Sequence, residues 1–265
     1  MIHTEMTTLT LTTPEPHVLL VTLDRPKTAN AFNTLMAEEL VRLFEDLALD
    51  AGEHRCVVIT GRGDKAFCAG ADLKERNGMT EQEWRRQHLV YERMIRAIVN
   101  CPLPIIAAVN GAAYAGGCEI ACATDFIYAA ETACFAQTET TLGIIPGAGG
   151  TQTLARAVGE RRAKEIILSG RPFSATEALD WGLANALYPR DQLLEETLQI
   201  AARIAGNAPI AVRQAKQAIY RGFQMSLADG LAFEIEAYNR TVGTEDRQEG
   251  IRAFNEKRKP DFKGH

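Results

Sequence analysis

The chain has 265 residues, with 34 acidic and 29 basic side chains and a formal net charge of −5. This length is typical of one large domain, or of a domain with an appendage, and buries about three quarters of the unfolded surface, so folding requires no disulfide or metal. The mild acidity disfavours a protein that binds nucleic acid or an anionic membrane, because such proteins need a basic surface.

The cysteines and histidines predict neither a disulfide framework nor a metal site. The six cysteines are sparse and form no C-x-x-C pair, which favours reduced thiols in a cytoplasmic protein. The five histidines are scattered, and no Cys/His cluster has zinc spacing. The N-terminus lacks the basic and apolar segments of a signal peptide. The longest apolar run, near 105–109, is far shorter than the ~20 residues that cross a bilayer.

Strands and helices alternate along the first three quarters of the chain, which predicts an α/β fold. Asn33 and Thr80 are residues that commonly cap helices, and Glu83 lies at capping-box spacing from Thr80. The predicted elements are, in chain order, a strand over 18–23, a helix after Asn33, a strand over 56–60, a loop over 61–70, a helix from Thr80 to about Asn100, a strand over 105–109, a helix from about Gly116 to Ala123, a strand over 126–130, and helices over 151–158, 161–169 and 176–181.

The chain after about Gln192 is predicted to be almost wholly helical, with breaks at 207–209 and near Gly243. We therefore divide the chain into an α/β core over 1–205 and a helical region over 206–265. Apolar residues such as Ile235 and Tyr238 recur at helical spacing in the second part. They could pack internally, but contacts between subunits are slightly favoured.

Two nucleotide-binding motifs can be set aside. Gly61-Arg-Gly63-Asp-Lys-Ala66 satisfies the G-x-G-x-x-A pattern, but a dinucleotide site needs a helix to begin inside the glycines. The following residues, 67–71, are too rich in turn formers for that. No P-loop and no G-x-S-x-G nucleophile elbow occurs in the sequence.

Three segments could build a site for anionic chemistry. The small residues of 69–74 could expose backbone N–H groups to an oxyanion, although an ordinary turn explains this segment alone more simply. In 110–119 a strand leads into a helix whose first turn offers free N–H groups. Glu119 there lies in an apolar run, where it either has a function or only satisfies the helix dipole. Glu139 precedes a glycine-rich stretch and could equally be a solvated carboxylate. If the two glutamates converged, they would form an acid–base pair.

Segments 66–73, 110–119 and 145–152 together resemble the crotonase superfamily, specifically the enoyl-CoA hydratases. The resemblance runs from about Val18 to 256–258. It implies a crotonase-like α/β fold of the ClpP/crotonase type, with a superhelical core of repeated ββα units and a C-terminal helical trimerisation region. It also implies a homotrimer or a hexamer made of two trimers.

The resemblance also implies the site. The backbone N–H groups of Ala71 and Gly116 correspond to the oxyanion hole, and Glu119 and Glu139 to the two catalytic acids, with Glu139 as proton donor to Cα and Glu119 as activator of water. Having both acids favours hydration over isomerisation. No metal or redox cofactor is expected, since coenzyme A is part of the acyl-CoA thioester substrate. Further contacts to coenzyme A or substrate are implied for Ala69, Asp72, Leu73, Lys74, Gly147, Phe254 and Lys257, the last two from a neighbouring subunit.

The resemblance determines the acyl group of the substrate less well than it determines the site residues. A short straight-chain 2-enoyl-CoA is the leading substrate, and segment 77–95, with Trp84 and Tyr91, is expected to wall the acyl pocket. The run 72–76 is similar to the branch that hydrates 3-methylglutaconyl-CoA, and a carnitinyl-CoA dehydratase or an enoyl-CoA isomerase stays an alternative. Arg85, Arg86 and Arg93 could pair with a substrate carboxylate, although a solvated helix face explains each more simply. RNA binding, known in that branch, is not expected, because the helix over 33–50 has Arg42 as its only basic residue.

Overall fold

The structure is a computed structural model that describes residues 6–265. Its strands are, in chain order, β1 (Leu9–Glu15), β2 (Val18–Leu23), β3 (Cys56–Gly61), β4 (Ala66–Cys68), β5 (Ile105–Val109), β6 (Ala112–Tyr114), β7 (Phe126–Ala130), β8 (Cys134–Ala136), β9 (Phe173–Ser174) and β10 (Ala186–Tyr188). Its α-helices are α1 (Thr34–Leu49), α2 (Leu73–Arg76), α3 (Glu81–Asn100), α4 (Gly116–Cys122), α5 (Gly150–Val158), α6 (Glu160–Ser169), α7 (Ala175–Asp180), α8 (Arg190–Ala205), α9 (Pro209–Gly222), α10 (Leu227–Val242) and α11 (Glu245–Glu256).

The strands of the described chain form two sheets. The larger has the order β1-β2-β3-β5-β7-β10 and the smaller has the order β4-β6-β8-β9. Pairing is parallel except at β1–β2 and β8–β9. Each of the pairs β3–β4, β5–β6 and β7–β8 therefore gives one strand to each sheet before the chain enters a helix. This confirms the predicted α/β fold with repeated ββα units.

The long helices begin where the sequence predicted. The Asn33 side chain accepts a hydrogen bond from Met36 N at 3.0 Å, which caps α1. Thr80 and Glu83 form the expected capping box of α3. Every residue of β3 and β5 is buried, as their continuous apolar character indicated.

The sequence did not predict β1 and β10 of the larger sheet or the short strands of the second sheet. Residues 61–70 were expected to be a loop, but β4 lies within them, and β6 and β8 were likewise missed. These three strands have only three residues each and are rich in alanine and cysteine, which have little intrinsic strand preference. Pairing with one another, rather than local sequence, stabilises them. Because β4 follows Gly61–Gly63, no helix begins there, in agreement with the rejection of a dinucleotide site.

The predicted helical C-terminal part is confirmed as helix, and α8 ends at Ala205, next to the proposed division of the chain. Helix α8 packs on the large sheet, whereas α9 and α10 pack mainly on each other. Large apolar side chains stay exposed along α9, α10 and the turn between them: Ile219, Phe223, Leu227, Leu231, Ile235 and Tyr238. Between residues 6 and 265, no helix is both long and apolar enough to span a membrane.

Candidate active site

A cavity of about 880 Å³ opens where α3, the N-terminus of α4 and the loop before α5 meet. Its rim carries apolar side chains that are exposed to solvent, among them Leu89 and Ile145. Such a concave and largely apolar space is suited to an organic ligand. Seven of the residues predicted for the site line it: Ala69, Ala71, Leu73, Gly116, Glu119, Glu139 and Gly147.

Two backbone N–H groups meet at the wall of this cavity. Ala71 follows Gly70, whose carbonyl accepts from Phe32 N, and the N–H of Ala71 itself makes no backbone hydrogen bond within the described chain. Gly116 is the first residue of α4, so its N–H has no partner inside the helix. A Cβ built on Gly116 would lie 3.7 Å from Ala71 N, which makes the two groups neighbours. Together they can donate two hydrogen bonds to one oxygen.

The backbone is strained at Ala115, the residue directly before Gly116. Ala115 has φ 49° and ψ −124°, a conformation that residues with a Cβ rarely adopt. It is held by hydrogen bonds from Ala115 N to Ala136 O at 2.8 Å and from Glu119 N to Ala115 O at 3.0 Å. Such strain costs about 1–3 kcal/mol and is most common at functional sites. The turn brings the start of α4, and with it the Gly116 N–H, to the cavity.

Glu119 is buried in the first turn of α4 and is held by the loop before α5. Its Oε1 accepts from Ala148 N and from Gly150 N, both at 2.8 Å. Burial raises the pKa of this carboxyl group, and the two hydrogen bonds oppose the increase. These bonds fix the orientation of the carboxylate and connect α4 to Gly150, the first residue of α5.

Glu139 is also buried, at the start of a short 3₁₀ helix over Glu139–Leu142. Burial and the charge of Glu119 raise its pKa from about 4.5 to about 7. Gln137 has a fully buried side chain, and its amide, oriented to satisfy its neighbours, donates to both carboxylate oxygens of Glu139 at 3.1 Å. Near neutral pH this acid can therefore both give and take a proton, as general acid–base catalysis requires.

The four remaining residues that were predicted to contact coenzyme A or substrate do not line the large cavity. The Asp72 carboxylate binds Arg25 Nη2 at 2.9 Å and accepts from Lys74 N, so it braces the loop behind Ala71. Lys74 lines a smaller neighbouring cavity of about 450 Å³. Phe254 and Lys257 belong to the C-terminal end, where both side chains are exposed and neither borders the large cavity. Their contact with coenzyme A from a neighbouring subunit stays a prediction.

The arginines predicted to face a substrate carboxylate differ in position. Arg85 lines the cavity but is exposed and bound to Glu81 at 2.6 Å, and Arg93 binds Glu45 at 3.1 Å, away from the cavity. Arg86 is exposed and does not border the cavity. Trp84 and Tyr91 do wall it, as expected. A fourth arginine, Arg76, lies in the wall with 8% of its surface exposed.

Sequence reasoning missed Arg76 and Gln137 as lining or supporting residues, and it included His88 only as part of the expected wall segment 77–95. Gln137 follows β8 and Glu139 begins the 3₁₀ helix, so no strand alternation relates the two side chains, and only the tertiary structure shows that they meet. His88 packs against Gly147, where an added Cβ would come within 2.4 Å of the imidazole ring. No sequence pattern indicates that contact, because α3 and the loop are about sixty residues apart. Within residues 6–265, no cluster of three or more acidic, histidine or cysteine side chains could hold a metal ion.

Comparisons with known proteins cover almost the whole chain. The model of the enoyl-CoA hydratase/isomerase family matches residues 14–265. The crystal structure of an enoyl-CoA hydratase from Bacillus anthracis has 46% sequence identity and a TM-score of 0.96, over 98% of this chain and 100% of that one. A short-chain-enoyl-CoA hydratase of Clostridium acetobutylicum is 42% identical over 92% of this chain and 94% of its own. A mitochondrial enoyl-CoA hydratase of Pongo abelii is 43% identical over 92% of this chain and 83% of its own.

Proposed function

The chain belongs to the enoyl-CoA hydratase/isomerase family, and on that premise we propose that it adds water across the 2,3 double bond of a 2-enoyl-CoA thioester to give the 3-hydroxyacyl-CoA. One observation carries the proposal: two buried carboxyl groups, Glu119 and Glu139, line the same cavity as the paired N–H groups of Ala71 and Gly116. Coenzyme A enters as part of the substrate, and the proposed reaction uses no further cofactor.

The N–H pair would stabilise the negative charge of the reaction. When the oxygen of water attacks Cβ, the π electrons move through Cα to the thioester oxygen, which becomes an enolate. Ala71 N and Gly116 N can both donate to that oxygen, and such preorganised donors are worth about 10²–10³ in rate each. The apolar walls strengthen the effect by excluding water.

The two acids would divide the proton transfers. Glu119, fixed by two backbone N–H groups through Oε1, accepts a proton from water as the Cβ–O bond forms. Glu139, with its pKa raised to about 7, donates a proton to Cα, and the thioester carbonyl re-forms. The proton held by Glu119 then replaces the one lost by Glu139, directly or through water, which completes the net addition of water.

Loss of the conjugated thioester absorbance of crotonyl-CoA tests the activity. We expect the wild type to consume the ester with a mass gain of one water, and Glu139→Gln to bind the ester while losing most turnover. Isomerisation would leave the mass unchanged, so a product of unchanged mass would favour the isomerase alternative. Undiminished turnover by Glu139→Gln would contradict the proposed role.

We also propose that the chain forms a homotrimer or a hexamer of two trimers. The exposed apolar side chains of α9, α10 and their connecting turn support this, because water-exposed residues such as Phe223, Leu227 and Ile235 form a patch that association would bury. Light scattering should give three or six times the chain mass of 29.1 kDa. A monomer at micromolar concentration would contradict it. The cytoplasmic location stays a prediction.

A further inference from the structure

Arg76 lies in the cavity wall, and its guanidinium forms no ion pair with a carboxylate among residues 6–265. It lies at the C-terminal end of α2 with 8% of the residue exposed. Its one hydrogen bond to another described residue runs from Nε to Gln87 Oε1 at 2.8 Å. Across residues 6–265, no carboxylate oxygen lies within 4.0 Å of its nitrogens. A buried arginine of this kind is normally paired with an anion.

The surroundings of Arg76 hold it in one orientation. Its Cζ lies 4.0 Å from the centroid of the Trp84 ring and 5.0 Å from that of Tyr91. Gln87 is fixed in turn, because its Nε2 donates to Glu75 Oε2 at 2.8 Å. The nearest carboxylate in sequence, Glu75, also accepts from Thr34 N at 2.9 Å. Both of these bonds fall on Oε2 of Glu75. Neither Nη group of Arg76 donates to a carboxylate of residues 6–265, and the polar group beside the guanidinium is the Tyr91 side chain.

Arg76 lies beside Trp84 and Tyr91, the two side chains that the resemblance assigns to the wall of the acyl pocket. Arg76, Trp84 and Tyr91 all line the cavity that contains Glu119 and Glu139. Tyr91 packs edge-on against Phe32 with ring centroids 4.8 Å apart, and Phe32 in turn contacts Gly116. The Tyr91 hydroxyl is also buried without a hydrogen-bond partner among residues 6–265. Burial raises the pKa of Tyr91 and the Arg76 guanidinium opposes that increase, so the hydroxyl and the guanidinium are neighbours in the cavity wall.

We propose that Arg76 binds a carboxylate at the far end of the acyl chain, so that the preferred substrate is the coenzyme A thioester of an unsaturated dicarboxylic acid. The inference rests on the proposed hydration of 2-enoyl-CoA esters. A methyl-ended chain would leave the buried guanidinium unpaired, whereas a carboxylate accepts from its two Nη groups in the bidentate geometry that arginine favours. Arg76 would then determine specificity without taking part in the proton transfers.

Matched esters test the proposal. Glutaconyl-CoA and pent-2-enoyl-CoA have five acyl carbons and differ in ending with a carboxylate or a methyl group, and 2,3-dehydroadipyl-CoA and hex-2-enoyl-CoA are the pair with six. We expect kcat/KM of the wild type to be at least about 10-fold higher for the carboxylate in one pair, since a charged hydrogen bond changes affinity about 10- to 100-fold. Arg76→Met should remove that preference and change the methyl-ended esters less than about threefold. Arg76→Lys should keep part of it.

The control is Arg86→Met, on the exposed face of α3, which should alter none of these values. Equal loss on all four esters after Arg76→Met would assign Arg76 to coenzyme A binding or to folding and overturn the proposal. So would a wild type that prefers the methyl-ended ester of each pair.

A binding measurement separates this proposal from the proposed function. Calorimetry with two saturated pairs, glutaryl-CoA with valeryl-CoA and adipyl-CoA with hexanoyl-CoA, needs no turnover. Tighter binding of the carboxylate-ended ester of one pair by the wild type, lost in Arg76→Met, would support the carboxylate site even if no ester were hydrated. Equal binding within both pairs would overturn it, even in an active hydratase.

Discussion

The ring of Phe32 lies against Cα of Gly116, so close that an added Cβ would come within 2.5 Å of the ring. Gly116 and Ala71 carry the N–H pair, and Phe32 is joined to the Ala71 loop through the hydrogen bonds of Phe32 N to Gly70 O and Asp72 N to Phe32 O. One aromatic side chain thus sets the spacing of both donors. A methyl group at Gly116 would push them apart.

Gly116→Ala should therefore lower turnover by about 10²–10³, the usual effect of losing one oxyanion donor. The measurement is kcat on crotonyl-CoA, together with a circular dichroism melt to verify folding. Gly243→Ala is the matched control, because an added Cβ there meets nothing within 4 Å and the residue is exposed. A fully active and folded Gly116→Ala would contradict the oxyanion role.

The rate should depend on the protonation of Glu139. Because its pKa is raised to about 7 and its neutral form donates the proton, kcat/KM should be flat just below pH 7 and fall about tenfold per pH unit above it. Measurement of the pH–rate profile of hydration tests this. Glu131→Gln, at an exposed carboxyl group, should leave the profile unchanged. A rate that rises through pH 7 would show that Glu139 acts as a base instead.

The same shift predicts a dependence of stability on pH. The folded state binds the Glu139 proton more tightly than the unfolded state, so the contribution of Glu139 to wild-type stability falls as pH rises from about 4.5 to about 7. Glu139→Gln has no charge to bury and should be more stable than the wild type by about 3 kcal/mol at pH 8, but by less than about 1 kcal/mol at pH 5. Urea unfolding at both pH values measures this, and an equal difference at both would contradict it.

Glu119 is expected to have a structural task besides its proposed chemistry. Both Glu119→Gln and Glu119→Ala should lose activity, but glutamine keeps an oxygen that can accept from Ala148 N and Gly150 N. Alanine leaves these buried amides unpaired, which should cost about 2–4 kcal/mol of stability. Urea unfolding of the two variants distinguishes them. Equal stability would mean that the loop before α5 is held by other contacts.

Asp72 is expected to position the Ala71 loop rather than to touch coenzyme A. Asp72→Asn weakens the bond to Arg25 and should lower kcat about tenfold while changing KM less than about threefold. A large rise in KM with kcat unchanged would instead indicate direct contact with the substrate. Asp24→Asn, which disrupts the separate pair with Arg62 at 2.8 Å, is the control and should change neither constant.

Much of the fold could be predicted from local sequence because its long elements carry their own signals. Asn33 and Thr80 cap α1 and α3, and the β-branched runs of β3 and β5 become buried strands. The strand β4, in contrast, contains only Ala66, Phe67 and Cys68. It is stabilised by pairing with β6, which is more than forty residues away in the chain, so its own sequence does not predict it.

The candidate site divides in the same way. Glu119 could be identified as a candidate from the sequence because a carboxylate is unusual within an apolar run. Glu139 became a candidate of equal standing only through the resemblance, which matches both residues to catalytic acids. The sequence alone determined the residue types available for acid–base chemistry and the glycines that free backbone N–H groups. The tertiary structure decided which groups meet: Ala71 lies beside Gly116, Glu119 accepts from the Gly150 amide, and Arg76 is the arginine buried in the cavity wall, whereas Arg85 lines the cavity but is exposed. The pKa of Glu139 and the unpaired charge of Arg76 depend on burial and on distances between side chains. Both arise from packing between segments that are far apart in the chain, so the local sequence does not determine them.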